Sequence, residues 1–167
     1  ASDVYKRQPL IIYNFFNKFS ENKIINNKSF ISLGKNSKLS LLEYYKAEDS
    51  IKYFNNTIHN YSIQKNAMLK KFSIDSNLDN SYGYHLTNVK SYSNSIFENF
   101  LFSTGSSFIK NEIHCDLVET FSSCFIDNSL GKGNHSFIDK GAAHVFSPRF
   151  QECKCHTTTN KNMICLC

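Results

Sequence analysis

The chain has 167 residues and a formal net charge of +5, with 19 Lys and Arg against 14 Asp and Glu. One domain with a real core is expected at this length, and 41% hydrophobic residues exclude a disordered chain. The basic residues are scattered, Lys70-Lys71 and Lys35/Lys38 coming nearest to a cluster, so no nucleic-acid surface is expected. No run approaches the roughly 20 apolar residues of a membrane span.

Ala1 to Gln8 has no apolar stretch of the kind a secretion signal needs, so a cytoplasmic location is expected. Short apolar runs then follow at 10–13, 29–34, 39–45, 53–63, 67–74, 82–89, 96–102, 108–118 and 124–126, nearly all bounded by Asn, Ser, Asp or Gly. Several alternate, as in Leu39-x-Leu41 and Ile113-x-Cys115-x-Leu117, which is the period of a strand with one buried face. With 15 Phe, 9 Tyr and only 2 Pro, the composition also suits pleated surfaces. Only 41–46 has any helical character, and it is too short and too β-rich to form a helix.

A repeat runs through these strands. Asn36-Ser37-Lys38-Leu39, Asn66-Ala67-Met68-Leu69, Asn94-Ser95-Ile96-Phe97 and Ser122-Ser123-Cys124-Phe125 share one pattern and start 30, 28 and 28 residues apart. Between them, Thr57-Ile58-His59-Asn60-Tyr61, His85-Leu86-Thr87-Asn88-Val89 and Ile113-His114-Cys115-Asp116-Leu117 recur at intervals of 28. A fixed period with two or three short strands per unit cannot bury its apolar face alone, so copies must stack. The two-residue Asn-Gly or Asp-Gly turns of a hairpin sandwich are absent. The reading is an all-β parallel β-helix.

Six cysteines are present, four of them within the last 15 residues. Cys153-x-Cys155-His156 and Cys165-x-Cys167 have the ligand chemistry of a zinc or iron–sulfur site, but Cys-x-Cys is not the usual spacing. Cys115 and Cys124 alternate with apolar neighbours and are expected in the core of a reducing-compartment protein. The repeat would set His59, His85 and His114 on one face as a stacked polar ladder. Asp116 and Glu119 beside His114 lack a nucleophile to serve, and Gly131-x-Gly133 lacks the remainder of a phosphate loop. No enzyme is expected.

The residues at 36–45 and 53–57, then Tyr84-His85-Leu86, Ser93 to Phe97, Phe108 to Leu117 and Ser122 to Ile126 resemble, in order and near spacing, segments of the SufB/SufD scaffold family. His135 and His144 keep the separation of that family's outer histidines, although Asp139, Lys140, Gly141 and Ala142 replace what lies between. The likeness is closer to SufD, because a SufB-type cysteine pattern is missing. It implies a right-handed parallel β-helix core that pairs with a SufB-like paralogue and binds a SufC-like ATPase. It further implies a non-catalytic scaffold role in iron–sulfur cluster assembly, with iron or a cluster held by the assembled complex and none by this fragment.

Residues 9–150 carry this likeness. Residues 1–8 read as a non-native extension, and 151–167 as a Cys-rich tail foreign to the family sequence. No catalytic or metal site is assigned; His135, His144, Cys153, Cys155, Cys165 and Cys167 are the metal-ligand candidates. A carbohydrate-binding or carbohydrate-active β-helix is the alternative.

Overall fold

A computed structural model describes residues 8–48, 51–76 and 81–130, together with the backbone of four short strands beyond them. Among the described residues thirteen strands run in chain order, and every pairing there is parallel. They are β1 (Leu10–Phe16), β2 (Ile24–Leu33), β3 (Lys38–Ala47), β4 (Tyr53–Ile63), β5 (Met68–Ser76), β6 (Ser81–Ser91) and β7 (Ile96–Thr104). After these come β8 (Phe108–Leu117), β9 (Ser123–Leu130), β10 (Phe137–Asp139), β11 (Ala143–Phe146), β12 (Cys153–Cys155) and β13 (Ile164–Leu166). A 3-10 turn at Lys18–Ser20 is the only helical element among the described residues.

Consecutive strands do not pair. Sheet A has the order β1-β3-β5-β7-β9-β12, and sheet B the order β13-β11-β8-β6-β4-β2, with β10 also on β8. The chain therefore coils, giving one strand to each sheet per turn. This is the parallel β-helix the repeat predicts, with two long strands per turn over about four described turns. Alternation decides what faces inward. In β4 every odd position from Tyr53 to Ile63 is buried and the even ones are partly exposed.

Inside, an apolar column fills one end of each turn, with Ile63, Leu69, Phe97, Leu117, Cys124 and Ile126 nearly inaccessible. Phe16, Tyr45, Ala47, Ile51 and Tyr53 form a smaller apolar cluster toward the other end of the first turns. Polar side chains lie between the two.

The tight turns from sheet B to sheet A explain the Asn of the repeat. Asn36, Asn66 and Asn94 sit at φ of 61°, 59° and 55°, a left-handed conformation that Asn adopts far more readily than bulky residues. They also stack: the Asn66 amide nitrogen donates to the Asn36 carbonyl oxygen at 2.9 Å, and the Asn66 N–H bonds Ser93 O at 3.0 Å.

Two alignments of the repeat need correction. Phe97 pairs with Cys124, not Phe125, so the fourth copy begins at Phe121, whose φ is 63°. Likewise His85 pairs with Asn111, and His114 with Asn88, because the third turn of sheet B is two residues shorter. Both errors arise from assuming a constant period where turn length varies along the solenoid.

Phe121 is therefore an aromatic residue in an asparagine's place, and it is 78% exposed. Phe121→Asn should stabilise the fold by about 1 kcal/mol, since a left-handed bulky residue costs about 1–2 kcal/mol. Calorimetry should show the melting midpoint rising by about 2–4 °C. Phe121→Ala, which keeps the backbone penalty, should not reproduce the gain.

Candidate functional site

The polar layer inside the coil is the densest collection of chemically capable side chains among the described residues. Inward parity places Glu43 and Tyr45 from β3, His59 from β4, Lys71, Ser73 and Asp75 from β5, and His85 from β6 in one interior seam. All are buried. Lys71 Nζ lies 3.1 Å from Glu43 Oε2, and the two side chains are 5% and 3% exposed. His59 Nε2 is 3.3 Å from the same Glu43 oxygen and 3.1 Å from the Tyr45 hydroxyl, while its Nδ1 is 2.6 Å from Ser29 Oγ. Asn55 Nδ2 is 3.3 Å from His85 Nε2, which stands 3.9 Å from Asp75 Oδ2.

Burial sets the protonation states. It pushes His59 down to about 2, with the Lys71 charge adding to the effect, and His85 down to about 3, with His59 and Lys71 adding. Both imidazoles are therefore neutral near pH 7. A neutral His59 can accept the Ser29 hydroxyl at Nδ1 and donate from Nε2 to the Tyr45 hydroxyl oxygen. Burial also works against the Lys71 charge, but Tyr61 and Glu43 beside it outweigh that and hold its ammonium above the ordinary lysine value. Burial and the Glu43 charge hold the Tyr45 phenol well above its usual range. Glu43 Oε2 has no well-directed hydrogen bond and is held mainly by the Lys71 charge.

This arrangement fixes one buried ion pair flanked by neutral donors and acceptors. Two histidine–carboxylate pairs resemble half-sites for a cation, but the Lys71 ammonium already occupies the charge position beside Glu43. No group of three or more His, Cys, Asp or Glu converges as a metal would require among the described residues. A space of about 20 Å³ lies beside Lys71, Ser73, His85, Thr87 and Asn99, room for one water, and the Ser73 hydroxyl has no protein partner there.

The residues singled out from sequence distribute differently. Cys115 and Cys124 are buried in the apolar column. The expected ladder of three histidines does not form: His59 and His85 point into the seam, whereas His114 lies on the outer face of sheet B. There His114 and Asp116 border a shallow trough of about 570 Å³ with Phe30, Asn60 and Asn88. Glu119 instead accepts the Ser93 N–H at 3.0 Å.

His135, His156 and Cys167 lie outside the described residues. His144 is in β11, its backbone in register with His114, and Cys153 in β12 is in register with Cys124. Cys155 is in register with Ile126, and Cys165 in β13 with Val145. Glu43 is not singled out by the sequence, and Lys71 is noted there only as part of a small basic cluster. Their signal was parity, since each sits two residues from a buried Leu on the inward face.

Residues 15–159 match the model of one family, described as the SUF system FeS cluster assembly SufBD core domain. Neither the curated proteins nor the solved structures gave a significant match.

Proposed function

We propose that this chain, which belongs to the SufBD core-domain family of the SUF iron–sulfur cluster assembly system, is a scaffold subunit of SufD type. It works without an active site of its own, by binding a SufB-like paralogue and a SufC-like ATPase. The family match across 15–159 supports the SUF-assembly part of this reading. The physical layout agrees with it: the interior is filled by packed side chains and a closed ion pair, so the working surfaces are outer faces and coil ends. Recognition by surface is what a scaffold requires.

Co-expression of the full-length protein with a SufC-type ATPase and a SufB-type paralogue tests it. A ternary complex that survives size exclusion is expected. Binding to neither partner, from a chain shown by circular dichroism to be folded β-structure, would overturn the reading. Replacement of the SufB-type partner, with the chain alone supporting cluster assembly beside the ATPase, would overturn the SufD-type part of it.

A further inference from the structure

The outer face of sheet A carries a bounded apolar strip. Register places Ile11, Leu42, Phe72 and Phe100 in one column across β1, β3, β5 and β7, and Tyr13, Tyr44, Ile74 and Phe102 in the next. These side chains are on the solvent side, with Ile11 58%, Tyr13 56%, Phe72 47% and Phe100 38% exposed. They touch along the columns: the Phe72 and Phe100 rings are 6.1 Å apart, and Tyr13 and Tyr44 are 6.0 Å apart.

Polar residues border most of the strip. Ser40 and the Lys70–Glu98 pair, at 2.9 Å, border one flank; the other carries Lys46, Ser76 and Thr104, with the half-exposed Phe15 beside Lys46 on β1 extending the apolar surface there. At β9 the two columns end in Asp127 and Ser129. A large apolar patch rimmed by polar groups marks an interaction site, whereas singly scattered apolar residues do not.

Its dimensions select the occupant. Three interstrand steps of about 4.8 Å, plus the side chains themselves, give a length of roughly 20 Å, and two alternate positions give a width of roughly 12 Å. The resulting area of roughly 250 Å² falls well short of the about 800 Å² per partner that a stable protein interface buries. A second copy packed sheet against sheet has too little here. An α-helix, about 10 Å across, covers the strip in roughly 13 residues. On β3 the strip lies between two exposed lysines, Lys46 on one flank and Lys38 one outward position beyond Ser40 on the other, while Lys70 is paired with Glu98 of β7.

We propose that this strip is the docking site for an amphipathic α-helix of a partner protein, laid along the solenoid axis across β1, β3, β5 and β7. The helix presents an apolar stripe at i, i+3, i+4 and i+7 to the two columns, with acidic residues along its edges facing Lys38 and Lys46.

Three synthetic peptides of about 14 residues probe this on the full chain by fluorescence anisotropy. One has a Leu/Phe stripe with Glu edges, one the same stripe with Lys edges, and one a scrambled stripe. The Glu-edged peptide should bind about tenfold or more tighter than the other two. Phe72→Ser with Phe100→Ser should cut that affinity about tenfold. Tyr13→Ser with Tyr44→Ser, at the other end of the strip, is the independent second variant, and both should retain the circular dichroism of the parent. Equal binding by parent and folded variants, or no preference among the peptides, overturns the proposal. So does self-association in sedimentation that the same substitutions abolish, which would make a second copy the occupant. Flotation with neutral phosphatidylcholine vesicles, lost in the variants, would make it a lipid surface and overturn it too.

Discussion

Lys71→Met should destabilise the protein by about 3–5 kcal/mol, because it strands the Glu43 carboxylate in the interior without its counter-charge. The two side chains are almost fully buried, and the one water-sized space beside Lys71 cannot supply the counter-charge of the lost ammonium. Lys71 also stands with its ammonium 5.6 Å from the centre of the Tyr61 ring, a contact that a thioether replaces only in part. Glu43→Gln alone should cost less, since the buried ammonium keeps a neutral amide oxygen and the Tyr61 face.

The informative variant is the double one, Glu43→Leu with Lys71→Met. Removing both charges together avoids the stranded-ion penalty, and such apolar replacements range from neutral to about 4 kcal/mol stabilising. Urea denaturation of the four proteins closes the cycle. A coupling energy of several kcal/mol is expected between the two positions, against about 0.2–1 kcal/mol for an exposed pair such as Lys70–Glu98. Additive single effects would mean that the pair is open to solvent.

The same two residues show where sequence reading stopped. The solenoid was legible because the constraint repeats: each turn needs a left-handed residue before sheet A, and Asn36, Asn66 and Asn94 supply it. Parity within each strand was legible too, so Cys115 and Cys124 were placed inside correctly. Register between turns was not, because it depends on turn length, which falls from 30 residues between β2 and β4 to 26 between β6 and β8. An even slip keeps every side chain on its face but moves its neighbours, as for Thr87, which meets Ile113 rather than Cys115; His114 is three residues from the partner of His85, an odd offset that puts it on the opposite face. The seam was hidden for a different reason. A buried charge makes sense only beside its partner, and Glu43 and Lys71 are distant in sequence, meeting only once β3 and β5 pair. Lys70-Lys71 therefore read as a small basic cluster, although Lys70 faces out and Lys71 faces in.

Acid should unfold this protein earlier than its carboxylates alone would dictate, and the seam histidines should set the slope. The folded state holds His59 at about 2 and His85 at about 3, whereas an unfolded chain offers both the ordinary value near 6.5. Both folded values are depressed, so the unfolded state binds more protons at any pH between. Stability is then independent of these groups above about pH 7 and declines as pH falls below about 6.5. Each imidazole contributes a loss of about 1.4 kcal/mol per pH unit there, and the pair about 2.7. A domain at the lower end of ordinary stability, about 5 kcal/mol, would be exhausted within about two units, before either folded-state value is reached. Urea midpoints taken from pH 8 to pH 4 should thus be flat and then steep. His85→Asn keeps a hydrogen-bonding group near Asn55 and should remove about half of the acid slope even if it lowers the plateau. A profile unchanged by that substitution would show that His85 is already charged or hydrated inside the coil.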